Sequence, residues 1–434
     1  MGRVFDIPVF YRSPIISRMK ALRRLYDHRK KDLSPSVLKL GPLTFKIARH
    51  FGFCFGVENA IEIAFKALAE NGDRRVFLLS EMIHNPQVNQ DLEQRGVRFL
   101  LTPAGEMITP FEDLTPDDIV IVPAFGTTVE LFEKLRSMGI DPTLYNATCP
   151  FVEKVWKRAE QLGSRGFTVI IHGKHYHEET KATFSHANLA APSLVIRDLR
   201  EAQVVADFIL GSVPEVEFLE QFKGRYSDNF APSKDLLKIG VVNQTTMLAH
   251  ETHAISDLLR KAIEARFGLE EGLVRFGDTR DTLCYATSEN QQATHGLIAS
   301  GGDFAVVVGG YNSSNTANLS ELLEKNYPTY YIKDATEIIS STQIRHLDRT
   351  RKIEISSDNW VPALNTDSTL EVLITAGASC PDALVDQVLE RIASFFPAAI
   401  PLAQAVERYT DELSKLAELS RDDSGVAEPI STEH

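Results

Sequence analysis

Short apolar runs alternate with amphipathic helical patterns along almost the whole chain. Four of these runs, at 76–79, 118–122, 168–171 and 304–308, are each followed by a polar or glycine-rich loop and then by a helical pattern. Strands that are joined through helices pair in parallel, because each helix carries the chain back to the same end of the sheet. The order therefore predicts an α/β fold with largely parallel sheets.

Three of the four cysteines stand where a predicted strand ends and a helix begins. Cys54 lies in a glycine-rich loop, Cys149 stands between a predicted strand at 144–147 and Pro150, and Cys284 precedes a helix. The N–H groups and the dipole at a helix start favour a thiolate. A buried, inert thiol explains any one of them, but not three at matching turns. Two ligands stay open, namely zinc with an added histidine and an iron–sulfur cluster with one iron free of protein ligands.

The composition argues against several classes of protein. The chain of 434 residues has a net charge of −13, and it shows no basic stripe with interleaved aromatic residues, which argues against a nucleic-acid binder. No apolar run approaches the length of a membrane span. Four widely spaced cysteines without a Cys-x-x-Cys pair form neither a disulfide framework nor a zinc ribbon.

The start of the chain is basic. Residues 1–45 carry ten Lys and Arg against three Asp and Glu. The segment lacks the apolar core of a secretory signal, and its acidic residues fit a transit peptide poorly. We therefore expect a cytoplasmic protein whose basic extension lies on the acidic body or near a partner, with plastid import left open.

Polar side chains gather at the carboxyl ends of the predicted strands, the edge at which open α/β folds bind ligands. Hydroxyl and N–H groups at a helix start suit a phosphate or diphosphate, although N-capping alone explains a Ser-Ser-Asn run equally well. A His-x-Glu pair suits zinc or acid–base chemistry, with an exposed loop pair as the usual alternative. The residues concerned are His84, Thr148, His177, Glu179, Thr245, Thr246, Ser313, Ser314, Asn315 and Ser379.

The predicted domain boundaries follow the cysteines. They are 1–43 for the basic extension, 44–55 for an N-terminal strand with the first cysteine loop, 56–149 for a first α/β domain, 150–280 for a second with an insertion near 211–238, 281–400 for a third, and 401–434 for an acidic tail. Three blocks that each present one cysteine suggest a pseudo-threefold arrangement.

These stretches resemble the 4-hydroxy-3-methylbut-2-enyl diphosphate reductase (IspH/LytB) family, in its plant and cyanobacterial branch. Each stretch alone is a weak signal, but the set is specific and runs in the family's order across residues 44–396. The stretches are Gly52-Phe53-Cys54 with Gly56-Val57, His84-Asn85, Ala147-Thr148-Cys149-Pro150, His177-Glu178-Glu179, Gln244-Thr245-Thr246, Cys284 with Ala286-Thr287, Asn312-Ser313-Ser314-Asn315, and Thr375-Ala376-Gly377-Ala378-Ser379 with Pro381-Asp382.

The resemblance implies three α/β domains in a pseudo-threefold, trefoil-like arrangement around one [4Fe–4S] cluster per chain. Cys54, Cys149 and Cys284 would hold this cluster, and its apical iron, free of protein ligands, would bind the substrate's hydroxyl. The glycines beside Cys54 would then let the backbone approach the cluster closely.

The implied reaction is the last step of the non-mevalonate (MEP) isoprenoid pathway. It is the two-electron, two-proton reductive dehydroxylation of (E)-4-hydroxy-3-methylbut-2-enyl diphosphate to isopentenyl and dimethylallyl diphosphates. Glu179 would serve the proton relay with Thr245 and His177, and reduced ferredoxin or flavodoxin would donate electrons to a monomer or homodimer. The residues implied to bind substrate are His84, His177, Thr246, Ser313, Ser314, Asn315 and Ser379.

The chain departs from the family pattern at two places. Many members have a histidine in an Ala-His-Gly loop that here contains Phe125, so Lys174 or another residue would replace one diphosphate contact. Cys380 occupies a position where a small residue is usual, and we expect it to be a spare thiol. Two alternatives from other classes are a three-cysteine zinc hydrolase or hydratase with Glu179 as the base, and an iron–sulfur or zinc regulatory module.

Overall fold

The structure, a computed structural model, describes residues 5–27, 31–277, 282–362 and 369–423, with side chains described up to residue 415. Its strands in chain order are β1 (Ser36–Lys39), β2 (Leu43–Ile47), β3 (Val76–Leu78), β4 (Arg98–Phe99), β5 (Ile119–Ile121), β6 (Thr168–His172), β7 (Ser193–Ile196), β8 (Ile239–Asn243), β9 (Phe276–Gly277), β10 (Phe304–Val308), β11 (Thr329–Ile332), β12 (Gln343–Asp348), β13 (Ile353–Asp358) and β14 (Leu370–Ala376).

The helices are α1 (Ile16–Tyr26), α2 (Phe55–Glu70), α3 (Pro86–Gln94), α4 (Val129–Ser137), α5 (Pro150–Ser164), α6 (Glu178–Asn188), α7 (Leu199–Ile209), α8 (Glu215–Gln221), α9 (Pro232–Asp235), α10 (Ala249–Phe267), α11 (Leu269–Arg275), α12 (Tyr285–Ala299), α13 (Ser314–Glu324), α14 (Asp382–Ala393) and α15 (Leu402–Asp423). Helices alternate with strands that pair mostly in parallel, which confirms the predicted α/β fold class. Among the described helices, none is both long and apolar enough to cross a membrane.

The described residues divide into two compact units. Unit 1 takes its residues from Met1–Ile7, Phe53–Gln291 and Asn312–Asn318, and unit 2 takes its residues from Pro8–Gly52, Gln292–Tyr311 and Leu319–His434. This division into two units does not test the domain boundaries predicted above, which remain predictions.

Unit 1 contains two parallel sheets, with strand orders β4-β3-β5 and β7-β6-β8-β9. Every residue of β6 and β8 is buried, as expected for parallel strands whose two faces are covered by helices. The predicted insertion near 211–238 is charged, yet Phe218, Phe222 and Leu236 lie in the core that includes residues of β7 and α10. Full burial of each such side chain stabilises the fold by about 1.5–3 kcal/mol.

Unit 2 is built on one five-stranded sheet of order β1-β2-β14-β10-β11. Strands β2, β14, β10 and β11 are parallel, and β1 pairs antiparallel with β2 at the edge. Strands β12 and β13 form a separate antiparallel hairpin. Because β2 and β14 are parallel neighbours, the loops that follow them leave the same edge of the sheet.

Both ends of the chain contribute to the core of unit 2. Ile16 and Met19 of α1 are buried there, and so are Val406 and Tyr409 of α15. The basic extension is therefore an integral part of this unit. The acidic tail predicted at 401–434 begins with α15, and the residues after 423 lie outside the described part of the chain.

One predicted strand is wrong. Residues 144–147 contribute a single bridge, in which Asn146 pairs with Val122, instead of a strand. Leu144 is 60% exposed, so the apolar residue that suggested a buried strand lies at the surface.

Candidate active site

Cys54, Cys149 and Cys284 each stand at the start of a helix in unit 1. Cys54 is the N-cap of α2 and Cys149 is the N-cap of α5, whereas Cys284 directly precedes α12. Pro150 occupies the first position of α5, where its missing N–H group costs no hydrogen bond. The sequence correctly predicted a helix start at all three cysteines.

The three thiols lie near one another, and two of them lie against Gly56. A Cβ atom on Gly56 would lie 2.5 Å from Cys149 Sγ and 4.0 Å from Cys54 Sγ. Cys284 lies close enough for its charge to raise the pKa of both other thiols. Its own Sγ accepts the N–H of Thr287 at 3.2 Å. Three separate stretches of unit 1 therefore converge on one group of sulfur atoms.

Burial has the largest effect on the pKa of each of these thiols and raises it. It raises the pKa of Cys54 to about 12, with the charges of Cys284 and Cys149 adding to the increase, and it raises the pKa of Cys149 to about 11. The backbone N–H groups at the helix starts lower the pKa of these thiols, as expected, but burial outweighs them in the protein alone. A bound cation reverses this balance, because coordinating thiols lose their protons. Three soft sulfur donors that lie near one another, with Gly56 against two of them, fit an iron–sulfur cluster.

Among the described residues, no group of three or more His, Cys, Asp or Glu side chains is arranged to hold one metal ion.

Glu179 lies in the first turn of α6 and is held by Thr245, which follows β8. Thr245 donates its N–H to Oε1 at 2.6 Å and its hydroxyl to Oε2 at 3.0 Å. Burial nevertheless raises the pKa of Glu179 to about 7, since the two hydrogen bonds offset only part of the effect. The charge of Glu179 also raises the pKa of Cys149 and Cys284. A carboxyl group beside the thiols thus keeps a proton near neutral pH.

His177 caps α6 and faces His84. Its Nδ1 accepts the N–H of Glu179 at 3.2 Å, so the neutral ring carries its proton on Nε2. Burial, followed by the charge of His84, lowers the pKa of His177 well below its usual value. The Nε2 atoms of the two rings lie 3.2 Å apart, and the ring of His84 stacks on Phe125 with centroids 4.0 Å apart. Phe125 therefore orients His84 instead of offering a polar group.

Gln244 connects the loops of the site. Its Oε1 accepts the N–H of Lys174 at 3.2 Å and the hydroxyl of Thr180 at 3.0 Å. Its Nε2 donates to Thr246 Oγ1 at 2.9 Å and to Ser314 Oγ at 3.2 Å. The Nζ of Lys174 lies 3.3 Å from the same Ser314 Oγ. The buried amide thus holds two predicted substrate-binding hydroxyls and a cation near one another.

The Ser-Ser-Asn run opens α13. Ser313 Oγ accepts the N–H of Thr316 at 3.2 Å and its hydroxyl at 2.9 Å, so the N-capping interpretation is confirmed for Ser313. Asn315 Oδ1 lies 3.5 Å from Asn290 Nδ2. The start of α13 is therefore lined by hydroxyl and amide groups next to Lys174.

Ser379 and Cys380 lie in unit 2, in the loop between β14 and α14. Ser379 is buried, and Cys380 is part of the hydrophobic core of this unit. Ser379 differs in this way from the other predicted substrate-binding residues, all of which belong to unit 1.

The sequence named Lys174 as a candidate diphosphate contact but did not single out Gln244 as a member of the site, although Gln244 stands in one of the matching stretches. The available signal was a polar residue directly after a fully buried strand. Such a residue becomes buried, and a buried amide must satisfy its hydrogen bonds.

A family model described as LytB protein matches residues 45–393. A 4-hydroxy-3-methylbut-2-enyl diphosphate reductase of Crocosphaera subtropica is 40% identical over 356 residues, which are 81% of this chain and 85% of that protein. The reductase of a Cyanothece species is 39% identical over 366 residues, with 83% of this chain and 87% of that protein covered.

A solved structure has a similar fold. It is the E-1-hydroxy-2-methyl-but-2-enyl-4-diphosphate reductase from Plasmodium falciparum, with a TM-score of 0.56 and 19% identity over 80% of this chain and 87% of that chain. At this identity the likeness concerns the fold alone. With a family match over most of its length and cyanobacterial relatives at about 40% identity, the chain belongs to the LytB family.

Proposed function

We propose that the chain reduces (E)-4-hydroxy-3-methylbut-2-enyl diphosphate to isopentenyl and dimethylallyl diphosphates, the last step of the non-mevalonate pathway. The reaction consumes two electrons and two protons, and the hydroxyl group leaves as water. The observation that carries this proposal is the proximity of Cys54, Cys149 and Cys284 to one another, with Gly56 against the first two, near the buried carboxyl group of Glu179. The names of the curated relatives support it.

Cys54, Cys149 and Cys284 are proposed to hold one [4Fe–4S] cluster whose fourth iron has no protein ligand. When bound, such a cluster supplies a Lewis-acidic iron and a path for electrons. The trefoil arrangement of three domains around it, with the boundaries predicted above, belongs to the same proposal.

Glu179 is proposed to deliver a proton to the departing hydroxyl. Its raised pKa supplies the proton near neutral pH, and Thr245 fixes the direction of the carboxyl group through two hydrogen bonds. His177 keeps the chain at Glu179 in place by accepting the N–H of that residue. General acids positioned in this way contribute about 10²- to 10⁴-fold to the rate.

The diphosphate is proposed to bind at the start of α13, where hydroxyl groups and the helix dipole favour an anion. Ser313, Ser314, Asn315 and Thr246 supply polar groups there, and the Nε2–H of neutral His177 is directed toward His84. Ser379, which belongs to unit 2, remains a predicted diphosphate contact. Reduced ferredoxin or flavodoxin as the electron donor and a cytoplasmic location also remain predictions.

Anaerobic purification followed by iron and sulfide analysis tests the cofactor. We expect about four iron and four sulfide per chain, together with reduction of the hydroxylated diphosphate in the presence of a chemical reductant. Cys54→Ser, Cys149→Ser and Cys284→Ser should each lower the iron content. Cys380→Ser is the matched control and should retain it.

The alternatives predict other outcomes. Stoichiometric zinc without iron in that preparation would favour the hydrolase or hydratase. A full cluster without any reduction of the substrate would favour a regulatory module.

A further inference from the structure

The basic extension places one cation against the loop that leads to Cys54. Helix α1 docks on the core of unit 2 through buried Ile16 and Met19. Its start is fixed by Asp386 of α14, which accepts the N–H of Ile16 at 3.3 Å, the N–H of Ile15 at 3.4 Å and the hydroxyl of Ser13. Lys20 directly follows Met19, so its backbone lies next to the part of α1 that is anchored in the core.

Lys20 reaches two separate loops of unit 2. Its Nζ donates to the carbonyl oxygen of Phe51 at 2.8 Å and to Asp382 Oδ1 at 2.6 Å. The same atom lies 4.2 Å from the centroid of the Phe51 ring. The side chains of Lys20 and Asp382 are 25% and 16% exposed, so this ion pair is more shielded from water than a surface pair.

The backbone packs closely against this ion pair at Gly52. Gly52 has φ of +78°, and a Cβ atom there would overlap Asp382 Oδ1 and lie 2.8 Å from Lys20 Nζ. It would also lie 3.5 Å from the carbonyl oxygen of Cys380. A side chain at this position is thus excluded both by the left-handed conformation and by the ion pair.

The two loops follow parallel neighbouring strands. The loop with Phe51 and Gly52 follows β2, and the loop with Cys380 follows β14 and ends at Asp382, the first residue of α14. Cys54 stands two residues after Gly52, and Ser379 stands three residues before Asp382. The ammonium group of Lys20 therefore links the segment before Cys54, a proposed cluster ligand, to the segment after Ser379, a proposed diphosphate contact.

We propose that Lys20 is a positioning residue for the reaction. It holds these two loops together and so fixes the path of the backbone to Cys54 and to Ser379. The proposal rests on the proposed function. Lys20 lies outside the residues 45–393 that the LytB model matches, so the basic extension supplies this contact between the two loops. Hydrogen bonds to charged groups stabilise a partly buried contact more than hydrogen bonds between neutral groups do.

The test compares three variants in the full-length, cluster-loaded protein. Lys20→Met removes the charge and keeps the length of the side chain, and Lys20→Arg keeps the charge. Lys46→Met is the matched control, because Lys46 Nζ also binds one carboxylate and two carbonyl groups of unit 2, those of Glu371, Ser300 and Gly301. These groups precede β10 and lie in β14, away from both loops.

Three quantities are measured. They are hydrogen exchange in peptides that contain Phe51 and Gly52 or Ser379 to Asp382, the rate of iron loss to a chelator, and the KM for the diphosphate substrate. In Lys20→Met we expect about tenfold faster exchange in both loops and about tenfold faster iron loss with a raised KM. Lys20→Arg should recover most of the loss, and Lys46→Met should change neither loop, iron loss nor KM.

Two outcomes overturn the proposal. Exchange in both loops that is unchanged in Lys20→Met shows that the cation does not hold them. If Lys20→Met and Lys46→Met melt at the same temperature and also show the same rate of iron loss and the same KM, the ion pair of Lys20 stabilises the fold and does not position the loops. Failure of the proposed function is recognised earlier, because the wild-type protein would then lack iron and activity before any variant is compared.

Discussion

At the scale of single residues, Glu179 shows how burial prepares an acid. Its carboxyl group receives two hydrogen bonds from Thr245, which favour the charged form, yet burial raises the pKa to about 7. The dominant effect is therefore the loss of water, which favours the neutral form. A neutral carboxyl group can donate a proton at the pH of a cell.

The pH dependence of turnover follows from this pKa. An acid must hold its proton, and the protonated fraction of Glu179 falls as the pH rises through about 7. We expect kcat/KM, which reports the free protein, to fall about tenfold per unit above that pH. The kcat should fall only at higher pH, because the negative diphosphate raises the pKa of the carboxyl group further. Profiles measured with a chemical reductant give both quantities.

Glu179→Gln is the control for this assignment. The variant should keep its iron and its affinity for the substrate but lose about 10²- to 10⁴-fold in kcat. A kcat close to that of the wild type, or an unchanged pH profile, would contradict the role of Glu179 as the acid.

The surroundings of the cysteines were harder to predict than the cysteines themselves. The family resemblance implied that Cys54, Cys149 and Cys284 share a site, and in the structure their charges raise one another's pKa. The glycines beside Cys54 were expected to let the backbone approach a cluster. Gly56 does face Cys149 Sγ, whereas Gly52 packs against an ion pair from the extension. Contacts that depend on a distant helix leave no local pattern in the sequence.

At the scale of elements, the apolar runs predicted the buried strands well. The run at 304–308 matches β10, and the run at 76–79 exceeds β3 by one residue. Such runs are reliable because a parallel strand is buried on both faces. The extension was harder to predict because its ten basic residues dominate its composition, while only one face of α1 is apolar.

Substitutions in α1 test whether the extension belongs to the core. Ile16 is fully buried, whereas Leu25 of the same helix is 75% exposed. We expect Ile16→Ala to lower the free energy of unfolding by about 2–5 kcal/mol, because it leaves a cavity. Leu25→Ala should change it by less than about 0.5 kcal/mol. Denaturant unfolding of the full chain measures both, and equal effects would show that α1 does not pack as described.

At the scale of the whole molecule, charge is unevenly distributed along the chain. The net charge is −13, yet residues 1–45 are strongly basic. Within this segment, Lys20 and Arg23 are engaged by Asp382 and Asp32. Arg18 and Arg24 of α1 are exposed, so α1 offers positive charge to the solvent on a negative molecule.

This distribution predicts how an acidic electron carrier, such as the proposed ferredoxin or flavodoxin, reaches the protein. Opposite charges steer association and raise its rate by about 10- to 10³-fold at low salt. Replacing Arg18 and Arg24 with Glu should therefore lower kcat/KM for reduced ferredoxin about tenfold at low ionic strength. The difference should vanish at about 1 M salt, where the screening length is about 3 Å.

The control must distinguish the effect of the charge on α1 from the effect of the net charge of the protein. Lys223 and Lys325 are exposed lysines outside α1, and replacing both with Glu changes the net charge by the same amount as replacing the two arginines. We expect this pair to leave kcat/KM for ferredoxin near the wild-type value. With reduced methyl viologen, a cation, neither pair should slow the reaction, because the basic face of α1 offers no attraction to it. An equal loss with both pairs would assign the effect to the net charge, and an equal loss with methyl viologen would assign it to damage at the site.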